Sequence, residues 1–171
     1  MIATIALFAA ILYLVWAYNR LVAGRNRVRN AWAQIDVQLR RRSELVPNLV
    51  ACVKGYIAHE REVLKAVAEI RAQIAAAGGN IAARAAAEND LGQSLLTVIS
   101  TAEAVPELRA SENFLALQEE LRSTENRIGF ARQHYNDSVM RYNVMIASFP
   151  TNLVAGPFGF KPAVMFSARG G

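Results

Sequence analysis

The chain is poor in the side chains from which catalytic and metal centres are usually built. Its 171 residues include a single cysteine, Cys52, and two histidines, His59 and His134. One cysteine excludes an intrachain disulfide, and the helical, apolar surroundings of Cys52 predict a buried thiol on a reducing side. A di-iron helical bundle needs Glu-x-x-His pairs, but Tyr56 stands three residues before His59 and Ala131 three before His134. His59-Glu60 opens like a zinc-protease motif, yet Val63 fills the place of the second histidine. A glycine-rich phosphate loop is also missing. The expectation is a protein that is not an enzyme and has no cofactor or metal, with both histidines at a surface or an interface.

Proline, glycine and basic residues are missing from the start of the chain. Neither Pro nor Gly appears before Gly24, the first base is Arg20, and MIATIALFAAILYLVWAY has only Thr4 as a clearly polar interruption. About 18 residues at about 1.5 Å each give about 27 Å, close to the bilayer core of about 30 Å. Backbone in hydrocarbon must satisfy its own hydrogen bonds, so a transmembrane helix over residues 1–19 is expected. A cleaved secretory signal is the alternative, but it wants a basic start and small residues at the cleavage site. Trp16, Ala17 and Tyr18 stand there instead. Tyr13, Trp16 and Tyr18 are placed to meet the headgroups. Arg20, Arg25, Arg27 and Arg29 follow at once and almost nothing precedes the span, so the positive-inside bias puts the N-terminus outside and the rest in the cytoplasm. These four arginines are the expected contacts to anionic lipid headgroups. Ala6 and Ala10, four apart, offer a weak helix-packing signal.

The net charge of +5 arises largely from arginines between residues 20 and 42. That strip lacks interleaved Phe or Tyr for base stacking, so no nucleic acid is expected as a partner. The remaining 150 residues or so suit one domain. Leu21, Val28, Trp32, Ile35 and Leu39 share one face of a helix over about 20–42. Ser43 and Pro47 then offer an N-cap and a first-turn proline, so the chain either turns there or kinks through Pro47. Further helices are expected over about 44–77, 81–104 and 111–149. Gly78, Gly79 and Asn80 end the first of these, Pro106 ends the second, and Ser111 caps the third. That last helix carries an uninterrupted seam from Phe114 through Leu121, Ile128, Tyr135 and Tyr142 to Phe149. Tyr135 and Tyr142 read as core rings whose neighbours Asn136 and Asn143, with Asp137, are expected to hydrogen-bond to the first or second helix. The fold class is all-α, an N-terminal transmembrane helix continuous with an antiparallel four-helix bundle at 20–149. Residues 150–171 form an extended apolar and aromatic segment that should dock on something.

Three long strings carry a resemblance. YNRLVAGRNRVRNAWAQIDVQLRRRSELVPNLVACVKGYIAHE, SENFLALQEELRSTENRIGFARQHYNDSVMRYN and FPTNLVAGPFGF look like the signature blocks of LemA proteins, and the likeness covers Tyr18 to about Phe166. The resemblance implies a single-pass protein of the bacterial cytoplasmic (inner) membrane with a short outer N-terminus and a cytoplasmic four-helix bundle. The family includes magnetosome-associated relatives linked to membrane shaping, and the resemblance implies no agreed biochemical activity.

Helical rise separates the arginines. Arg40, Arg41 and Arg42 would stand about 30 Å from the membrane boundary, beyond several Debye lengths of about 8 Å. They are expected to face a neighbouring subunit, an anionic partner or solvent. A turn near Ser43 would also bring Ile70, Ile74 and Ile81 back to the headgroups, while Phe158, Phe160 and Phe166 would dock the tail on the membrane or in an oligomer. The functional expectation is a self-associating, homo-oligomeric membrane scaffold that organises or remodels the bilayer. The alternative is an adaptor recruiting a protein partner of unknown identity.

Overall fold

The computed structural model describes residues 1–56 and 61–166. Among them the chain is entirely helical: α1 (Ile2–Val53), α2 (Arg61–Ala77), α3 (Ile81–Glu103), α4 (Pro106–Arg109), α5 (Glu112–Ala147) and α6 (Asn152–Ala155). His59 lies outside the described residues. The chain divides into two compact units. The first is Met1–Gln34 with Gln133–Met165, and the second is Ile35–Arg132 joined by Phe166. α1 and α5 each contribute to both.

The expected turn near Ser43 does not occur. α1 runs unbroken for 52 residues with Pro47 inside it. A proline there removes one backbone bond, but Leu45, Val46, Leu49 and Val53 on either side are all buried. Burying each such side chain stabilises by about 1.5–3 kcal/mol, which outweighs the lost bond. The carbonyl that Pro47 leaves without a donor is that of Ser43, which is only partly buried. The helix stops instead at Lys54, Gly55 and Tyr56, where Tyr56 donates its amide to Val53. α2 is consequently only 17 residues long. Its Ile70 and Ile74 pack against the core of the second unit, so they do not form the headgroup contact that the earlier turn would have required.

Local chemistry sets the other boundaries. Gly78 has φ of 52°, a left-handed conformation that glycine takes without strain. The Asn80 side chain caps α3 by accepting the Ala83 amide at 3.1 Å. Pro106 opens α4, and the Ser111 hydroxyl accepts the Phe114 amide to cap α5.

In the second unit Val46 and Leu49 of α1, Val67 of α2, Leu95 and Val98 of α3, and Phe114 and Leu121 of α5 share one core. In the first unit α1 and α5 run antiparallel. A Cβ at Gly24 would touch the Met145 methyl and the Tyr142 ring, and Trp32 meets Tyr135 edge to face at 5.5 Å. The α5 seam is buried from Phe114 to Tyr142, but Phe149, beyond the helix end, is exposed.

Candidate functional site

In the first unit, α1 changes character within one turn. From Ile2 to Trp16 nearly every side chain is exposed on every face, whereas Ala17 and Leu21 are completely buried. α1 contains a stretch long and apolar enough to cross a membrane, and only 6% of it is buried. A helix that served as the core of a soluble domain would be mostly covered. The packed structure begins where the apolar stretch ends. Tyr13 stacks at an angle on Trp16, and the Arg20 guanidinium lies 5.0 Å above the Trp16 ring. Phe158 and Phe160 meet Tyr18 edge to face at 5.2 and 5.7 Å, and Arg25 stands over the Phe160 ring at 5.2 Å. Together these residues form an aromatic and cationic collar around α1.

The tail is pinned to α5. The Asn143 amide donates to the Ala163 carbonyl at 2.9 Å and its oxygen accepts the Ala163 amide at 2.8 Å. About two turns away along α5, the Tyr135 hydroxyl donates to the Val164 carbonyl at 2.7 Å. Burial pushes the Tyr135 phenol above its ordinary pKa. Burial also raises that of Tyr142, against the opposing pull of Arg25 and Arg29. Below the collar, Arg27, Asn30, His134, Ser138 and Arg141 line a recess of about 160 Å³.

The second unit holds a buried ion cluster. The Arg42 side chain is 2% exposed, and that of Glu88, its closest partner, is 5% exposed. One guanidinium nitrogen donates to Glu88 Oε2 at 2.6 Å and to the Glu88 carbonyl at 2.7 Å. The other donates to Glu125 Oε1 at 2.7 Å, and Glu125 is 39% exposed. Arg84 links the cluster to Asp36 at 2.5 Å and approaches Glu88 at 3.8 Å. Three helices, α1, α3 and α5, are thus held by one guanidinium. A cavity of about 400 Å³ opens beside it, lined in part by Asn89, Asp90, Arg132 and Phe166. Among the described residues no group of three potential ligands is placed to hold a metal.

The LemA family profile matches residues 31–171. The chain belongs to the LemA family. It is similar to magnetosome protein MamQ 2 of Paramagnetospirillum magneticum, with 23% identity over 193 residues that cover 98% of this chain and 71% of that protein. Magnetosome protein MamQ of Magnetospirillum gryphiswaldense is 24% identical over the same shares. Protein LemA of Metamycoplasma hominis is 24% identical over 154 residues, covering 88% of this chain and 68% of its own. The matched LemA region begins in α1 beyond the apolar stretch and includes the ion cluster and the pinned tail. With its apolar stretch, this is a membrane-associated LemA protein.

The residues expected from the LemA sequence separate by unit. Tyr13, Trp16, Tyr18, Arg20 and Arg25 come together in the collar, while Arg27 borders the recess and Arg29 lies near Tyr142. Phe160 and Phe166 are not free docking groups, because both are buried within the chain. Arg25 covers the first, and Arg132 stands over the second at 5.9 Å. Phe158 alone of the three stays half exposed. Arg42 does not face a partner, since solvation is replaced by two carboxylates and a carbonyl. Arg41 pairs with Glu120 at 2.8 Å and Arg40 with Asp36 at 2.8 Å, both outside the core. Asn143 was expected to bond a neighbouring helix, and it holds the tail instead. Glu88 and Glu125 were missed. The signal for Arg42 lay in the three-and-four spacing Leu39, Arg42, Val46, Leu49, Val53, which continues the α1 seam straight through the supposed turn.

Proposed function

We propose that this LemA-family protein is a membrane-anchored, self-associating scaffold that organises or remodels the cytoplasmic membrane. The carrying observation is that the apolar stretch and the packed units share one helix, α1, without a linker. In this reading residues 1–19 span the bilayer with the N-terminus outside, since Arg20, Arg25, Arg27 and Arg29 follow the span and resist translocation. The four segments that share the core of the second unit form an antiparallel four-helix bundle. The role is structural, not catalytic, in keeping with a family and relatives that do not carry enzyme names. Self-association would use the span and exposed apolar side chains such as Phe130 on α5. Light scattering of the detergent-solubilised protein is the test: mass rising with concentration to a defined multiple supports the scaffold, and a monomer at all concentrations refutes it.

An adaptor is the second reading. It is favoured by a cavity of about 420 Å³ in the second unit, where Leu95, Leu96, Ile99 and Leu121 lie within a rim of Glu103 and Arg122. Crosslinking in cells separates the two readings. Ladders of self-adducts favour the scaffold, and a single heterologous adduct at Leu96 favours the adaptor.

A further inference from the structure

The net positive charge of this protein arises in one of its two units. The first unit holds Arg20, Arg25, Arg27, Arg29, Arg141 and Lys161 against a single acid, Asp137. Those side chains account for the whole formal charge of +5, and the second unit balances. The cationic unit is the one that contains the apolar stretch.

The same unit leaves three large apolar side chains uncovered near the end of α5. Phe149 is 79% exposed, Leu153 65% and Phe158 51%. The fold sets their level along α1. Gly24 lies against Tyr142 and Met145, and the helices are antiparallel, so the chain beyond Met145 climbs toward Arg20 and the end of the apolar stretch. Phe158 then closes on Tyr18 at 5.2 Å. The buried Ala17, next to Tyr18, marks the same level on α1. Water would have to solvate these rings and Leu153 at the point where α1 enters hydrocarbon. A headgroup and acyl boundary would cover them instead, as it covers aromatic belts and the apolar faces of interfacial segments.

We propose that Phe149, Leu153 and Phe158 form a second membrane contact, an interfacial foot seated in the leaflet from which α1 emerges, with Arg20 and Lys161 directed to anionic headgroups. The occupant is the bilayer, because the patch is continuous with the surface of α1 that the bilayer already covers and because its surroundings are cationic. Basic side chains are drawn to an anionic membrane surface. The foot fixes the rotation of α1 about its axis, which a single span leaves free. It rests on the anchor reading proposed above, and it extends that reading by naming the residues that touch lipid.

The test uses full-length protein carrying Cys52→Ala and one nitroxide label, in discs of mixed phosphatidylcholine and phosphatidylglycerol holding one copy each. Labels at Leu153→Cys and, independently, Phe149→Cys are compared with labels at Leu12→Cys in the span and Gln133→Cys on exposed α5. The expected result is preferential collision with oxygen over a water-soluble nickel chelate at 12, 149 and 153, and the reverse at 133. If 12 reads lipid while 149 and 153 read water, the foot is refuted and the anchor stands. If 149 and 153 are shielded from both probes, protein and not lipid covers them, and the foot is again refuted. If 12 also reads water, the anchor reading fails and the foot fails with it.

Discussion

Arg42→Met is the perturbation most directly tied to this structure. Methionine fills much of the aliphatic volume but leaves the Glu88 carboxylate, 5% exposed, without its partner at 2.6 Å. Breaking a buried pair from one side costs about 3–5 kcal/mol, because a desolvated charge is stranded. Arg84, 3.8 Å from the same carboxylate, softens the loss, so the lower end of about 3 kcal/mol applies. At about 2–4 °C per kcal/mol for a chain of this size, the melting temperature should fall by about 6–12 °C. Glu88→Leu alone should cost less, since Arg42 keeps Glu125 at 2.7 Å. Arg42→Met with Glu88→Leu should recover most of the loss, because no charge is then left buried. Glu125→Gln should cost about 1 kcal/mol or less, given the 39% exposure of that carboxylate. The assay is thermal unfolding by far-ultraviolet circular dichroism in one detergent. An Arg42→Met shift below about 2 °C, or a double variant no more stable than the single one, would refute the reasoning.

Four further outcomes follow from the geometry. Gly92→Leu should destabilise, because a Cβ alone would stand 3.2 Å from the Arg42 guanidinium, and overpacking of this kind costs about 1–3 kcal/mol by denaturant titration. Gly24→Ala should be nearly neutral, since the Met145 methyl can swing aside, whereas Gly24→Leu should lower the melting temperature by pressing on the Tyr142 ring. Asn143→Ala removes both hydrogen bonds to Ala163, and hydrogen exchange by mass spectrometry should show faster exchange at the amides of Lys161, Ala163 and Val164. Tyr135 and Tyr142 have folded pKa values above the ordinary 10.0. Their contribution is therefore complete below about pH 10 and is lost as pH rises through the folded values. Melting temperature should decline in strong alkali, and less steeply in Tyr135→Phe, which at neutral pH also loses the bond to Val164.

The legibility of the collar and of the ion cluster differed for a physical reason. Tyr13, Trp16, Tyr18 and the arginines after them announce themselves because a hydrocarbon boundary imposes composition residue by residue. Arg42 does not, since it stands in a run of three arginines whose other two pair at the surface. Only its place in the seam distinguishes it, and a helix break assumed at Ser43 conceals that register. Pro47 misled for the same reason: propensity near it favours a stop, while the buried residues around it favour continuation. Phe160 and Phe166 looked unpartnered because the chain that covers them is remote in sequence.

The sequence by itself determined that the chain is helical, that its first part is apolar enough to enter a membrane, and where the cationic boundary falls. These properties follow from runs and periodicities of neighbouring residues, which local physics reads directly. Tertiary structure alone decided that α1 passes through Pro47 to Val53, that Arg42 turns inward to Glu88 and Glu125, and that Asn143 pins the tail. Each of those outcomes is a competition between a local cost and a burial or pairing gain supplied by a distant segment. The gain exists only once that segment is in place.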